Sequence, residues 1–165
     1  MQEKAIAQRL VRARQLLAEI HHVAIATVNE DGSPHNSPVF MAFDNQLRGF
    51  WASNQDSQHS RNIVRDGQVF LVIFDGRQGH GGLYIAARAR PLEGNDIQHG
   101  YDCLKQLKGK SYGDIGDANL FAGANPQRIY QAEPLHFWIN ASERNEQGMI
   151  IRDKRIEISL EQLQS

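Results

Sequence analysis

The stretch "HHVAIATVNEDGSPHNSPVFMAFDN", residues 21–45, decides the fold. Residues 22–28 alternate in polarity and are rich in β-branched side chains, a pattern that predicts a strand. Asp31-Gly32 is a strong hairpin signal, and residues 37–43 predict the returning strand. Because so short a turn joins them, the two strands should pair antiparallel.

The rest of the chain continues this pattern of strands with short connections. A turn at Asn45-Gln46 leads to a third strand at 47–53, and a helix at about 57–66 follows it. "QVFLVIF" at 68–74 is apolar on both faces and predicts a buried strand. Later strands are predicted at "LYIAARARPL" (83–92), at "RIYQA" (128–132) and "LHFWINA" (135–141), which Pro134 separates, and at "GMIIRDKRIEISL" (148–160), as a final hairpin or one extended strand.

These elements predict a mostly β domain, a small antiparallel barrel with helical additions. The added helices are expected at 3–20 and 95–108, with a helical turn near 119–121. A parallel nucleotide-binding sheet would need helices between most of its strands, and this pattern lacks them.

Composition excludes several classes of function. The 165 residues suit one domain, and the net charge of -1, with Lys and Arg spread along the chain, argues against nucleic-acid binding. Cys103 is the single cysteine, so neither an internal disulfide nor a Cys-rich zinc site is possible. No signal core or membrane-length apolar run is present. We therefore expect a cytoplasmic globular protein without a membrane partner.

Polar residues crowd one helix start in "ASNQDSQHSRNIVRDG", residues 52–67. The first N–H groups of a helix lack intrahelical partners and lie at the positive end of its dipole, where an anion is stabilised. Ser57 is a natural N-cap, His59 can donate a further bond, and Arg61 carries permanent charge. The alternative is that Ser57 only caps the helix and the rest is solvated surface.

Other polar patterns favour structural interpretations. "QGHGG" at 78–82 lacks the Lys and Ser/Thr of a P-loop and predicts a flexible hairpin loop. His99 and Cys103 lie four residues apart on a predicted helix, but no third metal ligand is nearby. Trp138 is by default a core residue, although the polar run after it, which includes Arg144, is typical of the edge of a site.

Four stretches together resemble the pyridoxamine 5′-phosphate oxidase-like family of flavin-binding split barrels. They are "VAIATVNEDGSPHNSPVFMAFD", "FWASNQDSQHSRNIVRDGQVFLVIF", "LYIAARARPLEG" and "LHFWINASERN", and the resemblance covers about residues 20–145. It implies a six-stranded antiparallel split barrel of the FMN-binding type. It also implies a homodimer with the cofactor at the subunit interface, to which Phe50, Trp51 and Trp138 could contribute aromatic surface.

The resemblance also implies a set of FMN-binding residues. The strand along the flavin ring would carry Asn36, Ser37, Pro38 and Val39, and Ser53 and Asn54 would lie beside the ribityl chain. Ser57, Gln58 and His59 fall where the family places its phosphate-binding Ser-Arg-Lys, with Arg61 one turn along. Trp138 matches an aromatic that contacts the flavin from the partner subunit, and Arg144 matches an arginine that contacts the substrate phosphate in the true oxidases.

Departures from the oxidase pattern change the expected function. The oxidases use basic residues where this chain has Asn36, Met41, Gln58 and His59, and Glu146 replaces a histidine. Each lost charge-assisted bond to phosphate costs roughly 1.5–3 kcal/mol. We therefore expect a divergent member that does not oxidise pyridoxamine phosphate.

The leading hypothesis is an FMN-binding oxidoreductase that transfers hydride through flavin N5 to or from a small molecule, with no catalytic acid or base identifiable. One alternative is a deazaflavin-dependent reductase, and another is a non-catalytic flavin- or haem-binding protein for storage or stress protection. Residues 1–165 would form one domain, with an N-terminal helix at 1–20, the barrel at 21–145 and a C-terminal extension at 146–165. The 111–126 loop could close over the site.

Overall fold

The computed structural model describes residues 2–77, 81–107 and 115–165. Its helices are α1 Gln2–Glu19, α2 Gln58–Arg65, α3 Asp96–Lys105 and α4 Leu160–Gln164, with a 3₁₀ helix at Ala118–Phe121. Its strands are β1 His22–Val28, β2 Pro34–Phe40, β3 Ala42–Phe43, β4 Gly49–Asn54, β5 Gln68–Phe74, β6 Gly82–Pro91, β7 Gln127–Arg144 and β8 Ile150–Ile158.

The eight described strands form one antiparallel sheet in the order β2-β1-β5-β6-β7-β4-β3. The long strand β7 pairs with β6 along one edge, while its other edge is shared between β4 near its start and β8 near its end. This division splits the sheet, and it confirms the mostly β split-barrel fold expected from the sequence. The structure has eight described strands rather than the six expected, because β3 is a separate two-residue strand and β8 pairs with the second half of β7.

The sheet is curled, and the chain crosses between its two edges at Met41. Phe40 ends β2 at one edge of the sheet and Ala42 begins β3 at the other edge, two residues later. Two residues span at most about 7 Å, so the two edges lie close together at this point, although β2 and β3 do not pair. The Met41 N–H donates to the His21 carbonyl at 2.8 Å, and its side chain is fully buried. The predicted strand at 37–43 is therefore wrong as a single element, since Met41 divides it.

Two further strand predictions need correction. Pro134 does not separate two strands: β7 runs through it with a bulge, since Ala86 pairs with His136 and Ala87 with Pro134. A bulge tolerates a residue that has no N–H to donate to the ladder. The predicted burial of both faces of β5 is also wrong, because Phe74 is 57% exposed whereas its neighbour Ile73 is fully buried.

Among the described residues, the core has two parts. The larger part fills the barrel and is closed by α1 through Leu16, and the smaller lies between α3 and β4. Gly100 permits the close approach of α3, because a Cβ there would lie 2.6 Å from Leu92 Cδ1 and 2.9 Å from Ile129 Cγ2. Phe50 and Trp51 are fully buried within the chain, so the expectation that they contribute to a subunit interface is wrong.

Candidate functional site

The start of α2 lies directly after the end of β4. The Asn54 side chain accepts from the Asp56 N–H at 2.8 Å, and its carbonyl accepts from the Ser57 N–H at 3.1 Å. Asparagine often forms such a turn, and here it connects the end of β4 to the start of α2 through three residues. The N-terminus of α2 is thereby held beside the end of the barrel.

Four side chains form what we call the helix-start cluster: Ser53, Ser57, His59 and Ser60. The Ser57 hydroxyl lies 3.3 Å from Ser53 Oγ, 3.3 Å from His59 Nε2 and 2.8 Å from Ser60 Oγ. Ser57 occupies the N-cap position, yet its side chain makes no capping hydrogen bond. The alternative that Ser57 only caps a solvated helix is therefore wrong, and His59 and Ser60 are buried.

Beneath the cluster lies a stacked aromatic pair. A hydrogen bond joins Ser60 to Tyr130, whose ring stacks on Trp51 with centroids 5.5 Å apart. Burial raises the pKa of the Tyr130 hydroxyl above its ordinary value. The cluster thus packs on buried aromatic side chains, and its serine hydroxyls are hydrogen-bonded to one another.

The predicted ring-contacting residues of β2 divide between two faces. Ser37 and Val39 pair with the buried Ile25 and Val23 and so lie on the inner face. Asn36 and Pro38 are exposed on the outer face. The β2 residue that sequence reasoning missed is His35, which shares the inner face with Ser37, and its Nε2 lies 3.0 Å from the Ser37 hydroxyl.

Gln58 and Arg61 form a second hydrogen-bonded group on the same helix. Gln58 donates to Asn62 Oδ1 at 3.0 Å and accepts from Arg61 at 2.5 Å, while Arg61 also donates to the Asp56 carbonyl. Asn62 in turn donates to Thr27 Oγ1 at 2.9 Å. These bonds anchor α2 to β1 and hold the helix-start cluster in position.

Electrostatics distinguish His59 from an ordinary surface histidine. Burial, and secondarily the charge of His35, lower the pKa of His59 below its usual range. The His59 imidazole is only 8% exposed, and a positive charge on His35 would repel one on His59. The neutral form of His59 is therefore favoured at pH 7. In the protein as described, the cluster consists of neutral donors.

Trp138 lies elsewhere, on what we call the outer aromatic face: Phe70, Phe74, Tyr84, Trp138 and Arg155. The Trp138 ring is 6.0 Å from that of Phe70, and the Arg155 guanidinium lies 3.9 Å above the Tyr84 ring. Cross-strand pairs run from Pro38 through β1, β5 and β6 to Trp138, four strand spacings or about 19 Å along the sheet. Ser53 of the helix-start cluster pairs with Arg128, ten residues before Trp138 on β7, so one chain does not bring Trp138 to the cluster. Arg144 ends β7, and its side chain lies outside the described part.

His35, Ser60 and Tyr130 are the site neighbours that the sequence analysis did not name. Two of them carry a local signal. His35 lies two residues before Ser37, so a strand places both on one face, and Ser60 lies three residues after Ser57, so a helix does the same. Tyr130 is adjacent only through the pairing of β4 with β7, which no local pattern reveals.

Other sequence candidates have structural roles or lie outside the described residues. Cys103 Sγ is 3.8 Å from His99 Nε2, which lies 3.2 Å from the Asp44 carboxylate. Burial raises the pKa of the Cys103 thiol, so its reactive thiolate form is disfavoured. Across residues 2–77, 81–107 and 115–165, no group of three or more His, Cys, Asp or Glu side chains is placed to hold a metal. Residues 78–80 of "QGHGG" and 111–114 of the proposed lid are not described.

Among the helices of the described ranges, none combines the length and apolar character needed to cross a bilayer.

Comparisons with known proteins agree with the observed fold. The family model described as pyridoxamine 5′-phosphate oxidase matches residues 12–143. A search of curated proteins finds no match.

Three solved structures illustrate the range of similar folds. An F420 reductase is 20% identical with a TM-score of 0.58, and the match covers 76% of this chain and 94% of that one. A heme-binding protein from Mycobacterium smegmatis is 16% identical with a TM-score of 0.61, covering 96% of this chain but only 60% of that one. HutZ, the heme storage protein from Vibrio cholerae, is 18% identical with a TM-score of 0.59, covering 74% and 87%. At these identities the similarity shows the fold alone.

Proposed function

This chain belongs to the pyridoxamine 5′-phosphate oxidase family, and from that membership we propose that it binds FMN and acts as an oxidoreductase on a small molecule. The observation that carries the proposal is the start of α2, where the N-cap side chain leaves the first N–H groups uncapped. A phosphate placed there is stabilised by the helix dipole and by charge-assisted hydrogen bonds. The donors present fit such a group.

Each part of the site has a distinct role in this proposal. Ser53, Ser57 and His59 hold the phosphate at the helix start. The backbone of β2 from Asn36 to Val39 orients the ring, since β2 ends the sheet order and an edge strand presents unpaired N–H and C=O groups. When bound, FMN supplies hydride chemistry at its N5 atom. The protein residues position the cofactor and exclude water from its phosphate.

Departures from the oxidase pattern argue against pyridoxamine phosphate as the substrate on physical grounds. Met41 is fully buried in the barrel core and offers no contact to a ligand. Gln58 is bonded to Asn62 and Arg61 rather than carrying a positive charge, and Glu146 lies exposed in the turn between β7 and β8. We propose a different substrate, whose recognition does not require these basic groups.

A homodimer completes the proposal. The outer aromatic face leaves Phe74 57% exposed and Trp138 half-buried, and a second copy that covers this face would remove them from water. Since Trp138 and the helix-start cluster lie apart in one chain, a partner's copy of the tryptophan is the one we assign to the shared cofactor.

The test is to add FMN to the purified protein, desalt it and record the visible spectrum. We expect oxidised-flavin absorption bands to be retained, and to be lost in the Ser57→Ala, His59→Ala double variant. Val64→Ala is the matched control, because Val64 is on the same helix but 69% exposed, and it should retain flavin like the wild type. Failure of the wild type to retain FMN contradicts the proposal.

The same experiment separates the competing cofactors. A Soret band after haem addition, with no flavin uptake, would favour a haem-binding role such as the names of two structural neighbours describe. Uptake of F420 in place of FMN would favour a deazaflavin reductase. The longer anionic tail of that cofactor needs a basic groove, and the arginines around α2 are bonded to backbone carbonyls.

A further inference from the structure

Two histidines lie on neighbouring elements at the proposed phosphate end of the site: His35 pairs across the sheet with Thr27, which accepts from Asn62, one turn along α2 from His59. His35 on β2 lies 3.0 Å from the Ser37 hydroxyl, and His59 on α2 lies 3.3 Å from the Ser57 hydroxyl. β2 and α2 pack against each other. The charge of His35 contributes to lowering the pKa of His59. Each ring is therefore positioned by a serine on its own element, and the two elements are in contact.

The permanent cations around α2 are already engaged elsewhere. Each donates to a backbone carbonyl: Arg61 to Asp56, Arg65 to Val28, Arg88 on β6 to Asp66, and Arg128 on β7 to Gly123, Asn125 and Gln127. The Asp56 carboxylate precedes the helix and opposes an anion, Tyr130 is neutral, and β1 presents Thr27, which is uncharged. Histidine is the residue type whose charge can change at physiological pH, and among these groups His35 and His59 are the two histidines.

We propose that His35 and His59 bind the cofactor phosphate as a proton-linked pair, taking up a proton as the phosphate binds. This inference rests on the proposed FMN function and adds a regulatory property to the same site. The family resemblance places a lysine where His59 stands, and a lysine would be charged before binding. In this chain the histidine pair would become charged only as the phosphate binds, so FMN affinity depends on pH.

The direction of this dependence follows from linkage. A dianion beside the pair favours protonated imidazole, so binding takes up protons and weakens as pH rises. Between pH 7 and 8.5 the phosphate itself stays dianionic, because its second pKa is about 6. For one proton taken up, affinity falls roughly tenfold per pH unit across the window in which the free imidazole is neutral and the bound one charged.

The experiment measures FMN affinity from pH 7 to 8.5 by quenching of flavin fluorescence, at constant ionic strength and without phosphate buffer. Calorimetry in two buffers of different ionisation enthalpy counts the protons taken up. Riboflavin, which has the ring without the phosphate, should bind independently of pH. His59→Gln should bind FMN weakly with a flatter pH profile, and His59→Lys should restore affinity at pH 8.5 without restoring the pH dependence. His35→Gln tests the second member of the pair.

The outcomes separate this inference from the function on which it rests. A protein that binds FMN equally well at every pH overturns the histidine pair and leaves the proposed function standing. An unchanged pH profile in both glutamine variants also overturns it, because the protons would then enter elsewhere. A protein that binds no FMN at any pH overturns the proposed function and this inference together.

Discussion

The helix-start cluster and the outer aromatic face lie on opposite sides of one curled sheet, and they are stabilised in opposite ways. In the cluster, polar side chains are bonded to one another and rest on the buried Tyr130. On the outer face, aromatic rings are only partly removed from water, and Arg155 covers Tyr84 and Phe70 from above. The side chains of the helix-start cluster find hydrogen-bond partners within one chain, whereas the outer aromatic face has apolar surface left to bury.

The largest expected effect contrasts two neighbours on β5. Ile73→Ala should lower the free energy of unfolding by about 2–5 kcal/mol, since it leaves a cavity in the barrel core. Phe74→Ala, on the exposed face, should change the stability of the monomer by no more than about 0.5 kcal/mol. Urea denaturation at low protein concentration measures both. Equal losses would contradict the assignment of the two faces.

The next effect concerns the polar anchor of the inner side. Asn62→Ala should cost about 1–3 kcal/mol, because it leaves the buried Thr27 hydroxyl and the Asn29 amide oxygen without their shared donor. Gln58→Ala is the control, since Gln58 is only half-buried and bonds within its own helix. If thermal melting shows the two variants to be equally stable, the anchoring role of Asn62 is wrong.

A smaller effect tests whether a second copy covers the outer face. Trp138→Ala should weaken self-association roughly tenfold, about 1.4 kcal/mol, while the far-UV circular dichroism of the fold stays unchanged. Sedimentation velocity across a concentration series measures the change, with the exposed Val64→Ala as the control variant. A wild-type protein that stays monomeric at high micromolar concentration would remove the basis for a shared site.

The smallest expected effect is a pH dependence of the ligand-free protein. Burial lowers the pKa of folded His59 below the ordinary histidine value of 6.5, so the unfolded chain takes up the proton first as pH falls. The stabilising contribution of neutral His59 is therefore present above pH 6.5 and is lost as pH falls through the lowered folded pKa. Thermal melting of wild type and His59→Gln from pH 7.5 to 5 should diverge in that window. Parallel profiles would show that His59 does not titrate differently on folding.

Much of the fold followed from local pattern. Alternating residues 22–28, the Asp31-Gly32 turn and the isolated helix before β5 were enough to predict an antiparallel barrel, because strand period and turn chemistry are local properties. Where the prediction was wrong, the error lay in long-range context. Pro134 signals a break in isolation, but pairing with β6 accommodates it as a bulge. The break at Met41 exists only because the chain crosses there from one edge of the sheet to the other.

The sequence by itself determined the strand order of the first hairpin, the start of α2 and the identity of the donors that follow Asn54, since each depends on residues close in the chain. Only the tertiary structure decided that the strand of His35 packs against the helix of His59, that Ser60 lies beside Tyr130, and that Trp138 lies on the opposite face of the sheet. Those relations depend on which strands become neighbours when the sheet curls. Pairing between distant strands is set by burial over the whole barrel, and no window of sequence contains that information.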